Sequence, residues 1–137
     1  MVGDRWTFLV IRDLFIGKKS FKDFIGSPEN ISTNILTSRL KFLENLHYIS
    51  HIKDKNDNKV KLYYLKDRGV DLFSIMYELT SWSLNSTGEK FDKISSLQQF
   101  YYKKRKSMSR EEYILYRQNT YKQLRQEIFL KNDVADK

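Results

Sequence analysis

Apolar residues along the first 82 positions recur with helical spacing, then with strand spacing, then with helical spacing again. Trp6, Leu9, Val10 and Leu14 share one stripe of a helix over residues 6–15, and Phe8, Ile11 and Phe15 share a second, leaving only Arg12 and Asp13 clearly polar. A helix apolar on two sides has two partners to pack against, its own domain and a second body such as another subunit. Gly17 stops it. Residues 20–25 form a short second helix with Phe21, Phe24 and Ile25 on its buried side, and Gly26-Ser27-Pro28 breaks the chain. Ser32 is an N-cap for a third helix reaching about residue 46, with Leu36, Leu40 and Leu43 as its core stripe and Ile35, Phe42 and Leu46 beside it.

The period then shortens to two. Residues 48–53 and 59–65 are β-rich and are separated by Asp54-Lys55-Asn56-Asp57-Asn58, a turn cluster, which predicts a hairpin with a polar, partly basic tip. Val60, Leu62 and Tyr64 alternate with Lys59, Lys61 and Tyr63. Residues 67–82 are helical again, with Leu72, Ile75, Met76, Leu79 and Trp82 inward. Helix, short helix, turn, helix, hairpin, helix is the order of a winged helix-turn-helix, closing one core by residue 82. The predicted fold class is therefore mainly α with a small β-hairpin, followed by a C-terminal helical extension.

Asn85-Ser86-Thr87-Gly88 marks the boundary, giving a winged helix-turn-helix domain over residues 1–82 and an extension over 83–137. A helix is expected over residues 92–104. A longer one, over 109–130, opens on Ser109-Arg110-Glu111-Glu112, which has the capping-box form. Tyr113, Tyr116, Thr120, Leu124 and Ile128 make a sparse stripe on this second helix, so it must pack on the first domain or on a partner.

Charge changes the picture from a generic helical domain to one with a polyanionic partner. The 137 residues hold Lys+Arg 25 against Asp+Glu 17, a net +8, and basic balance of this size is the footprint of nucleic-acid binding. On the third helix, opposite the leucines, lie Asn34, Thr37, Ser38, Lys41 and Asn45, with Ser32 and Thr33 at its start and no acid before Glu44. Short hydrogen-bonding side chains without acids suit a helix that enters the major groove, whereas an ordinary solvated face more often mixes Glu and Lys. Lys18, Lys19, Ser20 and Lys22 flank the short helix, and Lys53, Lys55, Asn56, Asn58, Lys59 and Lys61 decorate the wing; both sets are candidates for phosphate contacts. Lys103-Lys104-Arg105-Lys106 reads as a solvated linker between the C-terminal helices, with contact to flanking DNA as the alternative.

Other chemistries find little support. With no cysteine there are no disulfides and no thiolate sites. His47 and His51 have the i,i+4 spacing of a helical metal pair, but a helix ends and a strand begins between them, and no third ligand is apparent. Asp54-x-Asn56-x-Asn58 opens like a calcium loop, yet Lys59 replaces the required glycine and Leu65 the closing glutamate. No phosphate-binding glycine loop or nucleophile elbow occurs, so neither enzymatic activity nor a cofactor is expected. There is no run of about 18 apolar residues, and the apolar opening is interrupted by Arg12 and Asp13 without a cleavage site after it. A cytoplasmic protein without a membrane partner is the expectation.

These residues resemble the HxlR-type winged-helix regulators of bacteria. The resemblance rests on Gly3-Asp4-Arg5-Trp6 and the apolar run to Leu14, on Lys19-Ser20-Phe21-Lys22-Asp23-Phe24, on Ile31 through Leu40 with its Leu36-Thr37-Ser38-Arg39-Leu40 segment, on Tyr64-Leu65-Lys66-Asp67-Arg68-Gly69, and on Trp82. It implies a homodimer that binds double-stranded DNA at a roughly two-fold site, with the first helix and the C-terminal helices forming the dimer contact. It also places Ser32, Thr33, Asn34, Thr37, Ser38 and Arg39 on the recognition helix and residues 55–59 on the wing. Arg39 either touches phosphate or braces the fold. Members commonly carry a cysteine before the N-terminal motif as a redox or electrophile switch, which is not expected in a sequence without cysteine. Lys66 stands where a capping Thr is usual. Trp6, Phe8, Phe15, Tyr77 and Trp82 are read as core, with a small-molecule effector pocket at the dimer interface as the alternative. The competing functions are a winged-helix protein-interaction module and, with less support, an RNA binder, for which no exposed aromatic platform is evident.

Overall fold

A computed structural model describes residues 4–87 and 96–134. Helix α1 (Arg5–Phe15) begins where the Asp4 carboxylate accepts hydrogen bonds from the backbone N–H and hydroxyl of Thr7, and it ends at Gly17, whose φ of +101° suits glycine. Val10, Ile11, Leu14 and Phe15 are buried. Asp13, expected on the polar side, is also buried, at 3% exposure. Its carboxylate accepts from the Ser27 hydroxyl (2.5 Å) and from Arg12 (2.9 Å), and Lys18 lies 3.7 Å away. Arg12 in turn reaches Glu29. The cluster ties α1 to the turn before the third helix, and a carboxylate survives burial because partners of opposite charge surround it.

Helix α2 (Phe21–Ile25) carries a complete capping box: the Ser20 hydroxyl accepts from Asp23 N–H, and the Asp23 carboxylate accepts from Ser20 N–H. Phe24 is buried, but Phe21, expected beside it, is 37% exposed. One turn of helix has room to bury only the side facing α1 and α3. Helix α3 (Thr33–Asn45) starts at the Ser32 cap and buries Leu36, Leu40 and Leu43 as its spacing predicts. It stops at Leu46, and His47, at φ +63°, turns the chain into the hairpin.

Strands β1 (Ile49–Lys53) and β2 (Lys61–Leu65) pair antiparallel, with Ile49 opposite Leu65 and Lys53 opposite Lys61. Simple alternation predicts one wet face for the hairpin. Instead Leu62, Tyr63, Tyr64 and Leu65 are all buried, because each face is covered by a different body. Tyr63 and Leu65 join the main core with α1 and α3, while Ile52, Leu62 and Tyr64 form a second cluster with Ile128 and Phe129.

The single helix expected over 67–82 is divided into α4 (Asp67–Val70) and α5 (Phe73–Thr87). Lys66 at the start of α4 supplies no side-chain cap. A Cβ at Gly69 would overlap the carbonyl oxygen of Tyr48, so α4 can lie against the hairpin base only with glycine there. The interruption resets the helical phase. Val70, Leu72 and Phe73 turn inward, Met76 is half-buried, and Ile75 and Leu79, expected inside, are 48% and 42% exposed. The side chain of Trp82 lies outside the described residues.

Helix α6 (Ser96–Lys106) covers the later part of the helix expected over 92–104; residues 92–95 lie outside the described residues. Helix α7 (Arg110–Lys131) starts where Ser109 accepts from Glu112 N–H. Its buried side is Tyr113, Ile114, Arg117, Tyr121, Ile128 and Phe129, whereas Tyr116, Thr120 and Leu124 of the expected stripe are only half-buried. Tyr113, Ile114 and Tyr121 belong to the same core as α1 and α3, so α7 packs on its own chain.

Candidate nucleic-acid interface

With the leucines of α3 facing the core, its remaining side is left to solvent: Thr33, Asn34, Thr37, Ser38, Lys41 and Asn45 are all exposed. Ser32 is occupied as the N-cap, accepting from Ile35 N–H, and the Thr37 hydroxyl donates to the Thr33 carbonyl. Arg39 turns back from this side. Its guanidinium lies 3.1 Å from Asp4, at the cap of α1, and it donates to the Ser38 hydroxyl. Asp4 is held below its usual range: burial alone would raise it, but the bonds from Thr7 and Arg39 lower it further. Of the two roles open to Arg39, the one visible in this geometry is to brace α3 against the start of α1.

The short helix and the wing flank α3 and enclose with it an open groove of about 1080 Å³. Thr33, Thr37 and Lys41 line it from α3, Ser20 and Lys22 from the start of α2, and Lys59 and Lys61 from the hairpin. The approach to α2 is stitched to β2 by the bond from Tyr63 N–H to the Lys19 carbonyl (2.7 Å). Lys18 departs from expectation. Its ammonium donates to the Ser27 hydroxyl and faces Asp13, an inward position that serves the α1 cluster rather than a phosphate. Asp23 sits below the usual carboxylate range because the backbone donors Lys19 and Ser20 outweigh its burial.

The wing tip is shaped by its own acids. Asn56 N–H donates to the Asp54 carboxylate and Lys59 N–H to that of Asp57, two local bonds that fix the turn and leave Lys53, Asn56, Asn58, Lys59 and Lys61 exposed. Lys55 is held from behind: Asn132 accepts from its backbone N–H (2.7 Å), and Asp133 pairs with its ammonium (2.6 Å).

The groove also holds an acid and a histidine that the sequence reading did not assign to the interface. Glu44 and His51 both line it, and Nδ1 of His51 stands 3.1 Å from each oxygen of Glu44. The i,i+4 pair His47/His51 is thereby split, His47 in the turn and His51 on β1. Among the described residues no group of three His, Cys, Asp or Glu is placed to hold a metal. The signal for Glu44 was its place as the first acid on the α3 surface; its pairing with His51 needs the hairpin folded back.

The basic run Lys103-Lys104-Arg105-Lys106 is the last turn of α6, not a linker. Arg105 stacks 4.0 Å from the Tyr77 ring and donates to the Ser81 hydroxyl, and Lys106 lies 4.4 Å from the Tyr102 ring. Phe15 packs edge-on against Phe73 and Tyr121 inside the core. Among the described residues, no helix is long and apolar enough to cross a membrane.

Comparison with known proteins agrees with this architecture. Residues 1–91 match the HxlR-like helix-turn-helix family. An uncharacterized HTH-type transcriptional regulator of Mycobacterium tuberculosis (strain CDC 1551 / Oshkosh), MT3179, is 32% identical over 82 residues, 60% of this chain. The chain spans about half (51%) of that relative's length. The HTH-type transcriptional regulator YodB of Bacillus subtilis (strain 168) is 31% identical over 84 residues, covering 61% of this chain and 74% of YodB. Solved structures of YodB in reduced and diamide-treated forms superpose with TM-scores of 0.53 and 0.51 at 30% identity, each covering 62% of this chain and 83% and 84% of YodB. The protein is a member of the HxlR-like helix-turn-helix family.

Proposed function

We propose that this protein is a sequence-specific, double-stranded-DNA-binding transcriptional regulator and not an enzyme. The observation that carries the reading is the shared groove: the polar side of α3 and the lysines of α2 and the wing line one open surface, while the apolar side of α3 is committed to the core. In this reading α3 enters the major groove, with Thr33, Asn34, Thr37, Ser38 and Lys41 toward base edges. Lys19, Ser20, Lys22, Lys53, Lys59 and Lys61 meet phosphates on either side, with Lys55, Asn56 and Asn58 at the wing tip. The names of the relatives, HTH-type transcriptional regulators, point the same way.

The protein acts in this reading as a homodimer, residues 1–82 binding DNA and residues 83–137 contributing to self-association. Exposed Ile75 and Leu79 on α5 and Leu97 and Phe100 on α6 support a helical partner surface, since each leaves apolar area in water.

Fluorescence anisotropy with a duplex from the gene's own upstream region and a scrambled duplex, across a salt series, tests the reading. Tight binding to the first and weaker, strongly salt-dependent binding to the second is the expected result. Equal weak binding to both would leave a basic winged helix whose partner is a protein instead.

A further inference from the structure

The groove between α3 and the wing contains one acid. Among its described lining residues only Glu44 is negative, set among Lys22, Lys41, Lys59 and Lys61. Glu44 lies three positions beyond Lys41 on the same side of α3, so a duplex seated against Lys41 comes close to it. An isolated carboxylate there repels phosphate and the acceptor-rich edges of the bases. Glu44 is not isolated: His51 holds both its oxygens at 3.1 Å, and the two side chains are 28% and 30% exposed.

An imidazole is the side chain that changes charge near neutral pH. With His51 protonated, the pair is neutral overall, and both ring nitrogens are donors, Nδ1 toward Glu44 and Nε2 for another acceptor. With His51 neutral, the pair carries a full negative charge. The other charged or titratable groups facing it are Lys22 on α2, Lys41 on α3, and Lys59, Lys61 and Tyr63 from the hairpin. The Tyr63 ring lies 5.4 Å from that of His51, and burial together with Glu44 pushes its phenol above the usual range, so it stays neutral. Lysine side chains as a type keep their charge near neutrality, so imidazole is the one side-chain type facing the pair whose charge can change there.

Resting on the DNA-binding reading above, we propose that Glu44 and His51 form one DNA-facing pair that makes duplex affinity proton-linked: binding DNA takes up a proton at His51. Affinity then rises as pH falls from 8 to 6, and the acid of α3 is tolerated in the groove because the wing supplies its counter-charge.

Anisotropy at fixed salt, with the upstream and scrambled duplexes at pH 6 and pH 8, tests this on the full chain, with thermal melts confirming that each variant is folded. The wild type is expected to bind both duplexes roughly five- to tenfold more tightly at pH 6, the low end of the usual coupling range. His51→Gln should lose the pH dependence and stay at the weaker affinity, Glu44→Gln should bind more tightly than wild type at pH 8, and His47→Gln should keep the wild-type ratio. A wild-type ratio near one, or a ratio that persists in His51→Gln, overturns the proposal while leaving DNA binding intact. Absence of binding at both pH values defeats the DNA-binding reading and this inference with it.

Discussion

Asn34, in the first turn of α3, and Lys41, two turns on, lie on its exposed side, and among the described residues neither side chain takes part in a hydrogen bond or ion pair. Side chains so placed cost the fold little when removed. Combining Asn34→Ala with Lys41→Ala is expected to weaken binding to the upstream duplex by about ten- to a hundredfold, the range for losing contacts to base edges, with an unchanged melting temperature. Unaltered affinity would put the reading surface elsewhere. These two residues were legible from spacing alone, because an exposed helix face is defined by the leucines opposite it. Arg39 was not: its neighbours in sequence are polar, but its guanidinium is directed at Asp4, 35 positions away. Lys18 looked like its basic neighbours until the fold placed Asp13 and Ser27 beside it.

Among the elements, α7 differs most from its sequence signal. Its apolar stripe is sparse, yet it makes the most varied attachments to the hairpin. Tyr121 is 2% exposed, and its hydroxyl accepts from Leu65 N–H at 2.7 Å. Arg125 donates to the Leu65 carbonyl and to Asp67, and Phe129 packs edge-on against Tyr64. The helix thus fastens the base of the wing, while Asn132 and Asp133 beyond its end reach Lys55 near the tip. Tyr121→Phe keeps the ring but leaves a buried N–H without its acceptor, which costs about 1–3 kcal/mol. Urea denaturation should show that loss, whereas Leu130→Ala, at an exposed site, should stay within about 0.5 kcal/mol of wild type. Equal effects from the two would mean that the tyrosine hydroxyl contributes no net stability. Periodicity missed this side of α7 because a tyrosine and an arginine with polar ends do much of its packing.

At the scale of the whole molecule, carboxylates paired with cations make stability depend on acid. Glu29 lies below its usual range chiefly through its hydrogen bond from Arg12, and Asp67 chiefly through that from Arg125. A carboxylate whose pKa is lower in the folded than in the unfolded chain adds stability above its unfolded value, about 4, and loses it as pH falls through the folded value. The net charge of +8 grows as carboxylates are protonated, adding repulsion in the same direction. The urea midpoint is therefore expected to change little from pH 7 to 5 and to fall steeply below about pH 4. Glu29→Gln should lower the midpoint at pH 7 and flatten the acid fall. A midpoint that held constant to pH 3 would show that these pairs contribute nothing measurable.

Element order, the Ser32 cap, the leucine side of α3 and the polar groove surface follow from the sequence alone, since each depends on residues within a few positions of one another. Residue identity and spacing carry that information locally. Tertiary structure decided the rest: the burial of both hairpin faces, the break between α4 and α5, the inward Asp13 bonded to Ser27, the bracing Arg39 and the pairing of Glu44 with His51. In every such case the deciding partner is distant in sequence or belongs to another element. Burial and charge pairing act through space, so these features exist only once the chain is folded.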